Sequence, residues 1–473
     1  MFSPLASAGL DPASTFFSLI EEKMDSRLRG NDERGELVPD GFKERAPLTR
    51  KQIGAVAAGN ALEFYDFVTY SFFAVQIGRS LFPGDASQSL VLSLATFGVG
   101  FVSRPLGGLI IGRMADRRGR KPAMILSFTL MGIGIVGLAL TPSHRAIGVA
   151  ASMLAVCFRL LQGFALGGEV GPNAAFLMEA APPHKRGFYL SIHLATADVA
   201  TLIAGIVGLT LSTLLTAAQL DSWGWRVAFL IGASIVPFGL ALRRTLEETL
   251  PPEAREPAPP GSLKPLLLTA GAGMLILGAG TISNYTLAYL TTYAQDTLHM
   301  AVSSAFGATV VLGLVSAVCD LATGWLVDRY GARRVLIGPW IALVLLAVPS
   351  FYVLNASRTA EVLMGATGLL TILHIFGSSA AIILFIQALP ARSRAGALGL
   401  IYALAIALFG GTTQLVEKLL IRWTGTPVAP AWYMVAAVLA GLIGTMLIRQ
   451  PAADVGGSPD TGERPCKTPS DQP

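Results

Sequence analysis

Charged residues are scarce in this sequence, and that scarcity excludes most soluble proteins. Asp, Glu, Lys and Arg make up 14% of the 473 residues, whereas hydrophobic residues make up 52%. Soluble domains carry about 25% charged residues, because their surfaces face water. A chain with a mean hydropathy of +0.58 does not have enough charge for such a surface. The composition therefore predicts a protein that lies in a lipid bilayer.

Cysteines are also few, and the common nucleotide-binding and hydrolase motifs are absent. Cys157, Cys319 and Cys466 are too few and too unevenly placed for a disulfide framework. No G-x-x-x-x-G-K-[ST] loop is present to hold a nucleotide, which argues against a primary pump. H-E-x-x-H and G-x-S-x-G are missing, and the five histidines lack metal-ligand spacing. We therefore expect that the protein is not an enzyme and that it binds neither a metal nor a cofactor.

Long apolar runs dominate the rest of the chain. Twelve of them are long enough to cross a hydrocarbon core, which needs ~20 helical residues. They cover approximately residues 52–79, 88–111, 123–141, 147–178, 188–215, 224–243, 264–294, 302–326, 335–354, 361–389, 396–422 and 430–448. The 51 glycines favour closely packed transmembrane helices. The fold class predicted is all-α integral membrane, with twelve transmembrane helices.

A segment rich in proline and charge, ETLPPEAREPAPPGSLK, separates the sixth and seventh runs and is typical of a linker. The predicted domains are a disordered cytoplasmic tail at 1–50, a six-helix bundle at 51–243, a cytoplasmic linker at 244–263, a second six-helix bundle at 264–450 and a disordered cytoplasmic tail at 451–473. An alternative is that part of 1–50 precedes the natural start.

Lys and Arg in the short loops predict the orientation. With the N-terminus inside, twelve of these residues lie on the cytoplasmic side and four on the other side. We therefore expect both termini in the cytoplasm and a multi-pass protein of a bacterial inner membrane. The net charge of +5 is spread over short segments and forms no basic face, so we expect no nucleic acid partner.

Two loops recur along the chain. GRMADRRGRKPAM from Gly112 aligns with GWLVDRYGARRVL from Gly324 at an offset of 212, and EAAPPHKR from Glu179 matches QALPARSR from Gln387 at an offset of 208. Two repeats at nearly one spacing predict a duplicated six-helix half, so the two bundles should be pseudo-symmetric. In a membrane protein such duplication suggests alternating access around a site near the midplane.

The repeated charged loop is predicted to form a cytoplasmic latch. Asp116 can face the positive N-terminal end of a neighbouring helix, while Arg117 and Arg120 can meet helix carbonyls or anionic lipid headgroups. Gly112 and Gly119 would permit close helix approach and a sharp turn. The second copy adds Asp328 and Arg329. The alternative is that these charges only fix the topology.

Ionisable side chains within the apolar runs are candidates for the binding site, since a charge at the bilayer centre costs at least ~2.5 kcal/mol. Helix one carries Asn60, Glu63 and Asp66 within two turns, and helix four carries Arg159, Gln162, Glu169 and Asn173 within one arc. Because the two helices enter from opposite sides, Glu63, Asp66 and Arg159 should lie at similar depth.

This arrangement predicts a coupling mechanism. A carboxylate beside Arg159 stays ionised, whereas desolvation without that partner favours the protonated acid. A substrate carboxylate that binds Arg159 would displace the internal acid, which then takes up a proton. Anion and proton would therefore move together. The alternative is a fixed salt bridge that ties the two helices.

The repeated signature resembles that of the major facilitator superfamily. GNALEFYDF at 59, RPLGG at 104, RLLQGFALGGEVG at 159, GFYLS at 187 and WGWRVAFLIG at 223 resemble its metabolite/proton symporters. RRTLEET at 243 and ALFGGTTQLVEKLLIRWTGT at 407 are most similar to citrate or tricarballylate/proton symporters. The resemblance covers about residues 51 to 450. Sugar/proton porters of that superfamily pair an Asp on helix one with an Arg on helix four, which matches Asp66 and Arg159.

The resemblance implies proton-coupled import of a small carboxylate, first citrate or tricarballylate. The alternatives are another metabolite, such as 2-oxoglutarate, proline or betaine, and a membrane sensor that does not transport. The expected partners are a small organic anion, protons and membrane lipids, and we expect a monomer. By the same resemblance Glu179 matches an acid that pairs with loop arginines, and its repeat mate is the neutral Gln387.

The remaining candidates are single residues on other helices. Arg104 is predicted to form a gate pair with Glu169. Asp198 is a candidate for proton coupling, and His374 is a candidate for the cavity, with hydrogen-bonded packing as its alternative. Neutral donors to the substrate are expected from the second bundle, at Tyr285, Tyr289 and Gln414. Asp320 and Cys319, near the second signature, are expected to be structural.

Overall fold

A computed structural model describes residues 64–118, 120–167, 185–245, 263–389 and 401–448. Both predicted tails and most of the predicted linker at 244–263 lie outside these ranges. The described residues are helical apart from short turns, and none of them forms a β-strand.

Twelve membrane helices run through the described residues. Two are interrupted, since α1 consists of residues 64–72 and Ala74–Leu81, and α2 of Ala86–Val102 and Arg104–Arg118. The others are α3 (Arg120–Leu140), α4 (Val149–Leu166), α5 (Arg186–Leu214), α6 (Trp225–Thr245), α7 (Leu263–Asp296), α8 (Val302–Tyr330), α9 (Ala332–Ser357), α10 (Ala360–Ala388), α11 (Ile401–Thr424, with a π-turn at Ile406–Gly410) and α12 (Ala429–Leu447).

Among the described residues, eight helices are by length and composition sufficient to cross a membrane. They are α2, α4, α5, α8, α9, α10, α11 and α12, and α3 contributes a shorter apolar helix over Ile125–Leu140. Each of the twelve predicted apolar runs contains one helix of the structure. The aromatic side chains of α1, including Tyr70, Phe72 and Phe73, are buried in the central core.

The first signature stretch is almost entirely helical. α2 continues to Arg118 and α3 begins at Arg120, so Asp116 and Arg117 belong to the last turn of a helix rather than to a loop. α2 is interrupted at Ser103, two residues before Pro105. Proline lacks the backbone N–H that a continuous helix would use there, and it disfavours helical geometry in the preceding residue. The Ser103 hydroxyl donates to the Leu160 carbonyl 2.8 Å away, which ties α2 to α4.

Glycines set the distances between the helices around the site. A Cβ added to Gly163 on α4 would lie 1.6 Å from the Gly100 carbonyl oxygen of α2, so only glycine permits this contact. On α8, a Cβ at Gly313 would lie 2.4 Å from the Leu202 nitrogen of α5. The first contact holds α4 against α2 one turn from Arg159, and the second holds α5 against α8.

Candidate functional site

Asp66 on α1 and Arg159 on α4 meet inside the protein. Arg159 Nη1 lies 3.7 Å from Asp66 Oδ2, and the side chains are 1% and 0% exposed. The sequence predicted this juxtaposition from helical spacing and from the opposite directions of the two helices. The structure places the two residues together, and their role in transport stays a proposal.

The ion pair is poorly satisfied by hydrogen bonds. Arg159 Nη1 donates to Gln162 Oε1 at 2.7 Å. Within the described part of the chain, both Asp66 oxygens and Arg159 Nε and Nη2 have no hydrogen-bond partner. Buried polar atoms are nearly always paired, and a buried ion pair offsets its desolvation only with good geometry. The pair therefore has free donors and acceptors for a ligand or a proton.

Aromatic rings enclose the two guanidinium groups nearby. Arg159 Cζ lies 4.5 Å from the centre of the Tyr70 ring and 5.1 Å from that of Phe67. Arg104 Cζ lies 4.7 Å from the Phe67 ring and 4.4 Å from that of Phe101. A cation over an aromatic face is stabilised without losing its charge. Phe67 therefore lies between the guanidinium groups of Arg159 and Arg104.

Arg104, which the sequence predicts as a gate residue, lies beside the ion-pair site. It shares the Phe67 ring with Arg159. The break of α2 at Ser103 turns the chain at this point and begins the second segment at Arg104. Glu169, the proposed gate partner, lies outside the described residues, so the gate pair stays a prediction.

α7 and α11 close the site from the second predicted bundle. The Tyr285 ring centre lies 5.7 Å from that of Phe101 and 6.2 Å from that of Phe67. Gln414 Nε2 donates to the Ser71 hydroxyl on α1 at 2.6 Å. Tyr289 is buried one turn beyond Tyr285, and its hydroxyl has no hydrogen-bond partner among the described residues. Tyr285 thus borders the arginine site, while Gln414 already has a partner.

Two other candidates have local partners. The carboxyl groups of Asp198 on α5 and Asp320 on α8 are in hydrogen-bonding contact, and Ser379 donates to Asp320 Oδ1 at 2.5 Å. His374 Nε2 lies 3.4 Å from the Ser378 hydroxyl of its own helix, and the ring is 2% exposed. The contact of His374 favours hydrogen-bonded packing. Asp320, which was expected to be structural, contacts the predicted proton-coupling residue Asp198, and both roles stay predictions.

The second signature forms the helix-end contact that the sequence predicted for the first. Asp328 accepts from the backbone nitrogens of Gly187 at 2.8 Å and Phe188 at 2.9 Å, in the first turn of α5. A carboxylate is stabilised there by the positive end of the helix dipole. Arg329 contacts the Trp325 and Tyr330 rings of its own helix.

The two signature copies also differ at their glycines. Gly331 ends α8 with a φ of +85°, a conformation that favours glycine. A Cβ at Gly112 would have no described atom within 4 Å, so the described residues show no close approach there, and the predicted one stays a prediction. Gly119 and the side chains of Asp116, Arg117 and Arg120 lie outside what is described, as do Asn60, Glu63, Asn173 and Glu179.

Residues 56–412 match the family model described as Major Facilitator Superfamily. The chain belongs to this superfamily. Membership confirms the predicted major facilitator fold, and it makes the chain a membrane transporter rather than an enzyme.

Relatives within the superfamily cover most of the chain. A citrate-proton symporter of Klebsiella pneumoniae is 33% identical over 414 residues, which are 85% of this chain and 93% of that protein. An alpha-ketoglutarate permease of Escherichia coli (strain K12) is 33% identical over 411 residues, with 85% and 95% covered. The crystal structure of a D-xylose-proton symporter has a TM-score of 0.67 at 18% identity, covering 85% of this chain and 98% of that chain. These relatives confirm the resemblance to metabolite/proton symporters.

Sequence reasoning missed two parts of this superfamily site. The rings of Phe67, Phe97 and Phe101 were not singled out, since aromatic residues are common in any apolar helix. Glu417 on α11 is fully buried and contacts Thr286 on α7. It stands next to Lys418 near the end of a predicted helix, where a charge normally faces water. A carboxyl five residues before the predicted end at 422 was nevertheless a signal.

Proposed function

We propose that this transporter imports a small carboxylate together with protons, and that citrate or tricarballylate is the first substrate to test. The observation that carries the proposal is the buried Asp66–Arg159 pair at 3.7 Å, with donor and acceptor atoms left unpaired. The names of the relatives, a citrate-proton symporter and an alpha-ketoglutarate permease, support the same substrate class.

The proposed cycle uses competition for Arg159. A substrate carboxylate binds the guanidinium in two parallel hydrogen bonds, for which its fork geometry is suited. Asp66 then loses its cationic partner inside a low-dielectric site and binds a proton. Arg104, on the other side of Phe67, adds positive charge near the site. Substrate and proton leave together once the site opens to the cytoplasm.

The positive charge of Arg159 and of the nearby Arg104 favours an anionic substrate. A dicarboxylate such as 2-oxoglutarate is the second candidate, because an alpha-ketoglutarate permease is among the relatives. A zwitterion such as proline or betaine would place its cationic group against arginines that already occupy the aromatic faces, which is unfavourable. Uptake competition across a panel of tricarboxylates, dicarboxylates and betaines separates these alternatives.

The latch and the orientation are part of the proposal. Asp328 holds the start of α5 against the end of α8, and opening toward the cytoplasm requires that contact to break. Both termini lie in the cytoplasm of a bacterium, and the protein works in the inner membrane as a monomer. We assign the corresponding role in the first half to Asp116, Arg117 and Arg120.

Reconstitution into liposomes tests the function directly. Purified protein should exchange radiolabelled citrate for internal citrate, and an inward proton gradient should drive accumulation above equilibrium. A sensor would bind citrate without exchange, and a uniporter would exchange it without responding to the gradient. Either result would reject proton-coupled import.

A further inference from the structure

One face of α11 touches α1, α2 and α7, which border the arginine site. Gly410, Gln414 and Glu417 are spaced i, i+4 and i+7, so they lie on the same side of the helix. A Cβ at Gly410 would lie 3.0 Å from the Tyr285 ring and 3.1 Å from that of Phe101. Gln414 bonds to Ser71 on α1, and Glu417 contacts Thr286 on α7. This face therefore connects Glu417 to the site.

The Thr286 hydroxyl lies close to both the Ile282 carbonyl oxygen and the Glu417 carboxyl, a geometry that accommodates a protonated acid. Thr286 Oγ1 lies 2.8 Å from the Ile282 carbonyl oxygen and 2.5 Å from Glu417 Oε1. A hydroxyl has one hydrogen, and a carbonyl oxygen only accepts. If the hydroxyl donates to Ile282, Glu417 must donate to the hydroxyl. Both contacts are hydrogen bonds only when the carboxyl carries a proton.

The surroundings of Glu417 also favour the neutral acid. Its side chain is 0% exposed, and among the described residues no cation forms an ion pair with it. The adjacent Lys418 is bound to Asp296 instead. The facing titratable groups are the neutral phenols of Tyr289 on α7 and Tyr433 on α12. An ionised carboxylate without a partner would be strongly disfavoured here.

The pocket around Glu417 contains buried polar atoms that are not hydrogen-bonded to any described residue. Glu417 Oε2 and the Tyr289 hydroxyl are both buried, and neither has a hydrogen-bond partner among the described residues. Thr286 directly follows Tyr285, whose ring borders the arginine site. A substrate that displaces Tyr285 therefore moves Thr286 as well, because both belong to one helix. The acceptor of the Glu417 proton would then depend on substrate.

We propose that Glu417 is a second proton-binding site and that its proton is transported with the substrate. This inference rests on the proposed proton-coupled symport and adds a proton to that of Asp66. Glu417 holds its proton while Thr286 accepts from it, and it releases the proton when α7 moves away from α11 on the cytoplasmic-open side of the cycle.

The number of protons per substrate tests the proposal. In proteoliposomes, the membrane potential at which net citrate flux stops, measured at several pH gradients, gives this ratio. Glu417→Gln removes the proton site but retains an amide donor for Thr286. This variant should therefore transport one proton fewer per citrate than the wild type. Glu361→Gln neutralises an exposed acid on α10 and should leave the ratio unchanged. An unchanged ratio in Glu417→Gln would overturn the proposal.

A second variant covers poor folding of Glu417→Gln. Thr286→Val keeps the size of the side chain and removes the acceptor. The proton concentration that gives half-maximal uptake should therefore rise about fivefold. Thr367→Val is the control, since that buried hydroxyl donates to Leu363 of its own helix. Equal proton dependence in the two variants would contradict the proposal. A wild-type ratio of zero would instead reject proton-coupled symport itself.

Discussion

Asp66 and Arg159 carry opposite charges, but the distance between their charged atoms is long for a buried ion pair. The 3.7 Å separation is too long for a hydrogen bond, and both groups are buried. Removing one partner of a buried pair leaves an uncompensated charge, which typically costs 3–5 kcal/mol. A substrate carboxylate supplies the missing partner. The long distance and the unpaired atoms are what the proposed exchange of partners requires.

Asp66→Asn should separate substrate exchange from proton coupling. The amide resembles the protonated acid and no longer competes for Arg159, so exchange of internal and external citrate should persist. Accumulation driven by a proton gradient should fall at least about tenfold, since the coupling acid is gone. Both rates are measured with radiolabelled citrate in the same proteoliposomes.

The control for this variant is Asp221→Asn. Asp221 pairs with Arg79 at 3.0 Å, but the pair is exposed and contributes little. It should behave as the wild type in both assays. Gradient-driven accumulation in Asp66→Asn equal to that in Asp221→Asn would show that Asp66 does not couple protons.

Arg159→Lys tests whether the geometry of the cation matters as well as its charge. Lysine keeps the positive charge but loses the planar fork that binds a carboxylate with two donors. A hydrogen bond to a charged group is worth about 1.5–3 kcal/mol. We therefore expect the KM for citrate to rise at least about tenfold at saturating proton gradient. An unchanged KM, measured by initial uptake rates, would place the substrate elsewhere.

The contrast between Asp66 and Glu417 explains what the sequence can predict at this scale. Asp66 lies in the middle of an apolar run, where an ionisable residue needs a partner, and Arg159 was the matching cation. Glu417 is adjacent to Lys418 and resembles the charged end of a helix. Its burial follows from the packing of α11 against α7, which helical periodicity alone does not contain. The ring contacts of Phe67 could not be predicted for a similar reason, because they depend on tertiary packing.

The contact of α5 with α8 joins the two predicted bundles at the level of whole helices. Gly187 and Gly324 permit the approach near one end, and Asp328 caps the start of α5 there. Farther along, Asp198 meets Asp320. Asp328 was predictable from the repeat, because its signature recurs in sequence. The extension of α2 to Arg118 was not, since charged residues at a helix end resemble a loop in composition.

Asp328→Ala should loosen the end of this helix pair. A carboxylate at a helix N-terminus contributes about 0.3–1 kcal/mol, and up to ~2 kcal/mol when partly buried. Loss of the Asp328 carboxylate should raise the fraction of molecules in which these ends of α5 and α8 are apart by about fivefold. A cysteine in place of Ser191, buried between the helices, reports the change as faster alkylation from the cytoplasmic face.

Asp221→Ala is the matched control for this measurement, since it removes an acid from a surface pair away from the α5–α8 contact. Its alkylation rate at Ser191→Cys should equal that of the parent. If Asp328→Ala also leaves the rate unchanged, the contact is not a latch.

The whole molecule is a duplicated transporter whose direction in the membrane follows from its loop charges. The twelve-helix fold was predictable because each apolar run is long and the signature repeats at a nearly constant offset. Orientation is a separate prediction, since the same fold can be inserted either way. The excess of Lys and Arg in alternate loops predicts that the α8–α9 connection lies in the cytoplasm and the α3–α4 connection outside.

Single cysteines on these two connections test the orientation. Arg145 in the α3–α4 connection and Arg334 at the start of α9 are both exposed, so each should react wherever reagent reaches it. In a variant without Cys157, Cys319 and Cys466, an impermeant thiol reagent added to intact bacterial cells with a permeabilised outer membrane should label Arg145→Cys and spare Arg334→Cys. Lysed cells should label both. Because loop charge is the basis of the prediction, the reverse pattern would contradict it and would also place the Asp328 latch on the outer side, where its release would admit substrate rather than deliver it.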